Sequence, residues 1–247
     1  YRMSGYLSSD GIGNPFSTYV VFNHSNTSTR VSSPSQTSSL VIDSSYYPKF
    51  VDHVLVNGVD NLVLQIDQIS SIPVQRTFYS TSFPVFTEII STFTTFRMTG
   101  KIEHMDGYSF GLDRRNNKIQ NSNLNTISTW PDGNFITKQI EQDVAMGLAK
   151  YKDRIIAFGM YTAEVFYNGG LSPAPLIPIK SLQSPVGLSI QCIRSDGHQT
   201  HYAAMLGDKL YFIGSHGESL GGSLSAFDGS RFEKVSPPYI DKIIAER

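Results

Sequence analysis

Apolar positions in this chain come in short runs rich in β-branched and aromatic residues, and Asn, Asp, Gly and Pro interrupt them at close intervals. Runs of about four to eight residues bounded by turn formers predict strands. They fall at 18–22, 53–56, 62–66, 108–112, 154–158, 164–167, 210–213 and 224–227. Stripes at helical spacing are nearly absent. The exception is the tail "SPPYIDKIIAER", where Ser236 before Pro237 marks a helix start and Ile240, Ile243 and Ile244 share one face.

Laid over one another, the strands repeat. "DGYSFGLD" opens at Asp106, "KDRIIAFG" carries its acid at Asp153, and "GDKLYFIG" carries its acid at Asp208. Each is followed by a second strand with a polar end: "KIQNSN", "EVFYNGG" and "LSAFDGS". Upstream, "VNGVDNLVLQI" joins the series with Asp60 as its acid. Hairpins recurring about every 50 residues are the pattern of propeller blades, because a blade with two apolar faces hides both only by stacking between neighbours. The expected fold is all-β, a β-propeller-like arrangement of antiparallel hairpin blades with irregular insertions. It forms a single domain over 1–247, with room for about five blades. Residues 23–39 hold too little apolar surface to pack and are expected as an exposed loop. Residues 73–99 alternate apolar residues with Thr and Ser, and are expected as an extended segment inserted outside the regular blades.

Composition removes several function classes. Twenty basic against 21 acidic residues leave a formal charge of −1, which gives no electrostatic footprint for tight nucleic-acid binding. The lone cysteine, Cys192, excludes an intramolecular disulfide framework and is expected as a small buried apolar residue. No apolar stretch reaches the length of a membrane-spanning helix, and no signal-peptide pattern is present. The sequons at Asn23 and Asn26 are then chance features of a Ser/Thr-rich stretch. A start at Tyr1 and an apolar helix face that stops at Arg247 are expected of part of a longer or processed product.

Candidate chemistry is sparse. In "RIIAFGMYTAEVFYNGG", strand alternation puts Glu164 on the face of Phe166 and away from Ala163 and Val165. No second titratable group lies nearby in sequence to make it a general acid or base, so it is expected as a structural or interface acid. His198 and His201 have a ligand-like spacing, but they lie in a Gly-containing turn with no third ligand at a known distance. "GESLGG" copies the spacing of a nucleophile elbow around Ser219, yet its flanks are strands rather than strand and helix. The chain has no phosphate-loop or dinucleotide fingerprint. Sialidase-type propellers repeat a Ser-x-Asp-x-Gly-x-x-Trp turn, and the nearest segment here, "SNLNTISTW" ending at Trp130, lacks the Asp and the Gly. The basic run "RRNNK" leaves Arg114, Arg115 and Lys118 as candidate contacts to DNA or a partner. No catalytic, cofactor-binding or metal-binding residues are expected.

The succession "DGYSFGLDRRNNKIQNSNLNTISTW", "GLAKYKDRIIAFGMYTAEVFYNGG" and "DKLYFIGSHGESLGGSLSAFDGSRFEKVSPPYIDKII" resembles the tail nozzle or hub proteins of short-tailed bacteriophages, also called packaged-DNA stabilization proteins. The likeness covers residues 103–244 well and the first hundred loosely. It implies a non-enzymatic virion protein, assembled in the bacterial host cytoplasm. Its implied form is a homo-oligomeric ring, a hexamer, attached to the head-tail adaptor below the portal. Such a ring extends the channel, retains packaged DNA, contacts the exiting genome transiently and carries tail spike, fibre or plug proteins. A channel of near-neutral charge would let DNA slide, whereas a cationic lining would hold it through counterion release. The alternative within a phage tail is a glycan-binding or glycan-cleaving propeller for receptor recognition.

Overall fold

The computed structural model describes residues 21–24, 28–32, 37–43, 46–68, 75–82, 85–89, 100–113, 116–137, 143–189, 192, 202–216 and 219–246. The strands of the described residues form five antiparallel sheets that follow one another along the chain, a propeller-like succession of blades. The first sheet has three strands, β1 (Val21–His24), β2 (Ser28–Ser32) and β3 (Thr37–Asp43). The second runs in order through β4 (Tyr46–Val56), β5 (Val59–Gln68), β6 (Gln75–Ser82) and β7 (Val85–Glu88). The third comprises β8 (Glu103–Met105), β9 (Tyr108–Asp113), β10 (Lys118–Asn121) and β11 (Phe135–Thr137). The fourth comprises β12 (Ala145–Tyr151), β13 (Arg154–Gly159), β14 (Ala163–Asn168) and β15 (Leu176–Pro178). A 3-10 turn at Lys180–Leu182 leads to the fifth sheet. Its strands are β16 (Val186–Leu188), β17 (Ala203–Leu206), β18 (Lys209–His216), β19 (Ser219–Phe227) and β20 (Phe232–Lys234). Helix α1 (Pro238–Ala245) follows and packs on β19.

Two expectations change. Segment 23–39, expected as a loop, contains β2, the end of β1 and the start of β3, paired from Val21↔Ser32 to His24↔Thr29 and from Ser28↔Asp43 to Ser32↔Thr37. Ladder hydrogen bonds come from the backbone, so Ser and Thr form strands without an apolar face. The segment expected as an insertion at 73–99 supplies β6 and β7, the outer half of the second sheet. Its alternation with Thr and Ser is that of a blade strand, with Phe78 and Ile89 buried and Val85 exposed. Residues 90–99 lie outside the described residues.

What repeats is the turn rather than the acid. Two-residue turns join the first two strands of the second, third and fourth sheets, and join β17 to β18. Their first residues, Asn57, Asp106, Lys152 and Gly207, all have φ between 51° and 62°. Asn57-Gly58 and Asp106-Gly107 have positive φ at both positions, the form that matches strand twist. The aligned acids occupy unlike places: Asp106 is first in its turn, Asp153 and Asp208 are second, and Asp60 lies within β5. The interval before the last turn is long because the inner strand of the fifth sheet comes in two pieces. β16 pairs with β18 from Val186↔His216 to Leu188↔Gly214, and β17 continues along the same edge from Ala203↔Phe212 to Leu206↔Lys209. Ile213 joins the pieces. Its carbonyl accepts from Ser189 N–H at 3.0 Å, and its own N–H donates to Tyr202 O at 3.3 Å.

The chain divides into two compact units. One is Tyr1–Met98 with Gly107–Ser109 and Ser122–Asp132; the other is Thr99–Asp106, Phe110–Asn121 and Gly133–Arg247. In the first, Val54, Val56, Leu62, Leu64, Phe78 and Trp130 are buried, and the Trp130 indole donates to Ile127 O at 2.7 Å. In the second, one core joins the fourth and fifth sheets: Met146, Tyr151, Ile156, Phe158, Ala163 and Val165 from one side, Val186, Leu188, Cys192, Tyr202, Leu210, Phe212 and Phe227 from the other. Edge-on and tilted ring contacts tie it together, among them Phe158–Phe212 at 4.7 Å and Tyr151–Phe227 at 5.0 Å.

Candidate functional site

The second unit places polar side chains along two seams. Between the fourth and fifth sheets, aromatic residues bury their rings and present oxygen to backbone. The Tyr151 hydroxyl lies 2.8 Å from Asp208 O and 2.7 Å from Asp228 O, carbonyls of two different turns of the fifth sheet. Arg154, just past the next turn, donates from Nη1 to Gly229 O. In the opposite sense, the Tyr202 hydroxyl donates to Leu148 O at 2.6 Å, and Ser215 Oγ donates to Met160 O at 2.6 Å. Close approach is obligatory at two glycines. A Cβ on Gly147 would meet the Tyr202 ring and hydroxyl at 2.4 Å, and one on Gly187 would meet Met160 O at 2.2 Å.

The seam between the third and fourth sheets is crossed by amides and one ammonium, and a buried carboxylate braces its fourth-sheet side. Asn117, at φ 52° in the turn before β10, donates from Nδ2 to Asp143 O at 3.2 Å and accepts from Ala145 N–H at 3.0 Å. Asp143 Oδ2 accepts from Tyr161 N–H, Thr162 N–H and Thr162 Oγ1 at 2.8, 3.0 and 3.1 Å. Lys150 Nζ donates to His104 O at 2.7 Å, Asn121 Nδ2 to Pro173 O at 3.3 Å, and Asn168 Nδ2 to Asp106 Oδ2 at 3.1 Å. Burial first, then the Lys150 ammonium, pulls the His104 imidazole below its ordinary pKa against the opposing pull of Asp106.

Of the sequence candidates, Lys118 is half-buried in β10 with its ammonium 3.9 Å from the Phe135 ring centroid, a cation–π geometry. Arg114 and Arg115 lie outside the described residues, as do His198 and His201. Their neighbour Asn116 donates to Asp113 Oδ2 at 2.7 Å. Glu164 is buried and faces away from the shared core that holds Ala163 and Val165, the side alternation assigns to it. Tyr167 is exposed. Ser219 begins a strand that pairs back onto β18, so the strand-to-helix geometry of a nucleophile elbow is not met. Cys192 is buried, and desolvation pushes its thiol up to about 12, which keeps it protonated and unreactive.

Among the described residues, no group of three His, Cys, Asp or Glu side chains could hold a metal ion, and no helix is long and apolar enough to cross a membrane. What the seams can do is fix backbone against backbone. The residues that do so, Asn117, Asp143, Tyr151, Tyr202 and Ser215, were not singled out by motif. Their signal in sequence is weak: Tyr151 precedes a turn at the end of an apolar strand, a place suited to an apolar ring with a polar tip.

No family model matches the chain, and no curated protein matches it. Among solved structures it is similar to a functionally unknown protein from Desulfotomaculum acetoxidans DSM 771, at 14% identity and a TM-score of 0.59 over 95% of this chain and 70% of that one. It is also similar to a chain from a study of two prolyl endopeptidases, at 10% identity and a TM-score of 0.51, covering 96% of this chain and 36% of that one. At such identities the likeness concerns the fold.

Proposed function

We propose that this protein is a structural virion component, a nozzle or hub in the tail of a short-tailed bacteriophage. In this reading it extends the channel below the portal and adaptor, holds the packaged genome and releases it on infection. One observation carries the reading: polar side chains at the seams of the third, fourth and fifth sheets bond mainly to the backbone of the neighbouring sheet. Tyr151, Arg154, Tyr202 and Ser215 each reach a main-chain carbonyl. A block stapled in this way transmits load between blades. The order of the hairpins, which carries the resemblance to the nozzle proteins, supports the same reading. The charge of −1 suits a conduit that must not grip DNA.

A ring of identical subunits needs two different contact patches per chain. Electron cryo-microscopy of phage particles carrying this protein is expected to show it as a six-fold ring at the tail. Purified protein that stays monomeric at every concentration, with no density for it in the virion, would refute the proposal. Binding on a glycan array, or release of reducing sugar, would replace it with receptor recognition.

A further inference from the structure

The chain contains two Asn-Gly dipeptides, Asn57-Gly58 and Asn168-Gly169, the pairing most prone to spontaneous deamidation because glycine leaves the following nitrogen unhindered. Their surroundings differ. At the second, every group needed for the reaction is engaged. Asn168 Oδ1 accepts from Gly170 N–H at 2.8 Å, and Nδ2 donates to Asp106 Oδ2 at 3.1 Å. The nitrogen that would attack, Gly169 N–H, is bonded to Pro175 O at 2.8 Å. Position 169 is also packed, since a Cβ there would sit 2.1 Å from Ile177 Cδ1.

The first pair is open. Asn57 is exposed at the tip of the β4–β5 hairpin, and its one side-chain contact among the described residues is a long bond from Nδ2 to Asn125 O at 3.4 Å. Among the described residues no backbone acceptor holds the Gly58 N–H, and the space beside Gly58 Cα is empty.

We propose that Asn57 is a site of spontaneous modification by water and that Asn168 is protected by the fold. Gly58 N attacks Asn57 Cγ, its proton and the side-chain amide nitrogen leave as ammonia, and a five-membered imide forms. Water then opens the ring at one carbonyl or the other, giving aspartate or isoaspartate at position 57. Either product adds a negative charge at the turn. The isoaspartate form also adds a backbone carbon to a two-residue turn whose flanks pair as Val56↔Val59, and so loosens that end of the second sheet.

The test is incubation of the folded protein at mildly alkaline pH, with peptide mass spectrometry resolving amide, aspartate and isoaspartate at each site and a parallel sample unfolded in urea. The expected result is conversion at Asn57 about tenfold or more faster than at Asn168 in the folded protein, the effect of breaking Asn168's several hydrogen bonds. In urea the two rates are expected to become comparable. Equal rates in the folded protein, faster conversion at Asn168, or no conversion at Asn57 on a timescale where both convert in urea would each overturn the proposal.

Discussion

At the scale of single residues, the informative positions are polar atoms set into an apolar seam or sheet. Ser80 Oγ is buried and has no hydrogen-bond partner among the described residues. A hydroxyl stripped of water without compensation costs about 1–3 kcal/mol. Ser80→Ala is therefore expected to stabilise the protein by about 1 kcal/mol, read from the midpoint of urea unfolding. His104 has the opposite character. Its folded pKa is lowered, so between the ordinary imidazole value near 6.5 and the folded value the unfolded chain binds a proton that the native state refuses. Stability falls as pH drops through that window and levels off below it. His104→Gln is expected to remove this component of the pH dependence, and an unchanged slope in thermal melts from pH 7 to pH 5 would contradict the assignment. Asp228 gives the same sign of pH dependence in a lower window. Hydrogen bonds from Ser230 Oγ, Ser230 N–H and Arg231 N–H lower it to about 2. Its contribution is present above the ordinary carboxylate range and disappears as pH falls towards that value.

At the scale of elements, the seam between the fourth and fifth sheets rests on close approach and on hydroxyls that reach across it. Gly147→Ala is expected to cost about 1–3 kcal/mol, because the new methyl group meets a buried ring rather than a flexible chain end. Tyr151→Phe keeps the ring packing against Phe227 and removes the donor shared by two turn carbonyls, for a loss of about 1–2 kcal/mol. Denaturant unfolding of both variants checks these values. The strands themselves were legible in sequence wherever a local rule governs them. Short apolar runs between turn formers mark β13 and β14, which are buried on both faces over most of their length, and turn chemistry marks Asn57-Gly58 and Asp106-Gly107. The outer strands β6 and β7 were misplaced because Thr and Ser alternation looks the same in an insertion and at a blade edge. The Asn117–Asp143 and Tyr202–Leu148 contacts were not legible at all. They join positions far apart in sequence, and no spacing rule records which loop will meet which strand.

At the scale of the whole molecule, a formal charge of −1 with basic and acidic residues in near balance predicts weak association with nucleic acid. Fluorescence anisotropy with duplex DNA at physiological salt is expected to show no binding below roughly 100 μM. Submicromolar affinity would mean a local cationic surface that the net charge conceals, with Arg114 and Arg115 the first residues to replace. The inner strand of the fifth sheet, made in two pieces, depends on one position of its partner. Ser189 and Tyr202 are held on the two sides of one residue, Ile213, and Cys192 anchors the first turn beyond Ser189 through its N–H to Ser189 O at 3.0 Å. The ladder therefore fixes both pieces of the inner strand against a single residue of β18. A proline at 213 would delete the N–H that reaches Tyr202, so one substitution midway along β18 is enough to unfasten β17 from the partner it shares with β16.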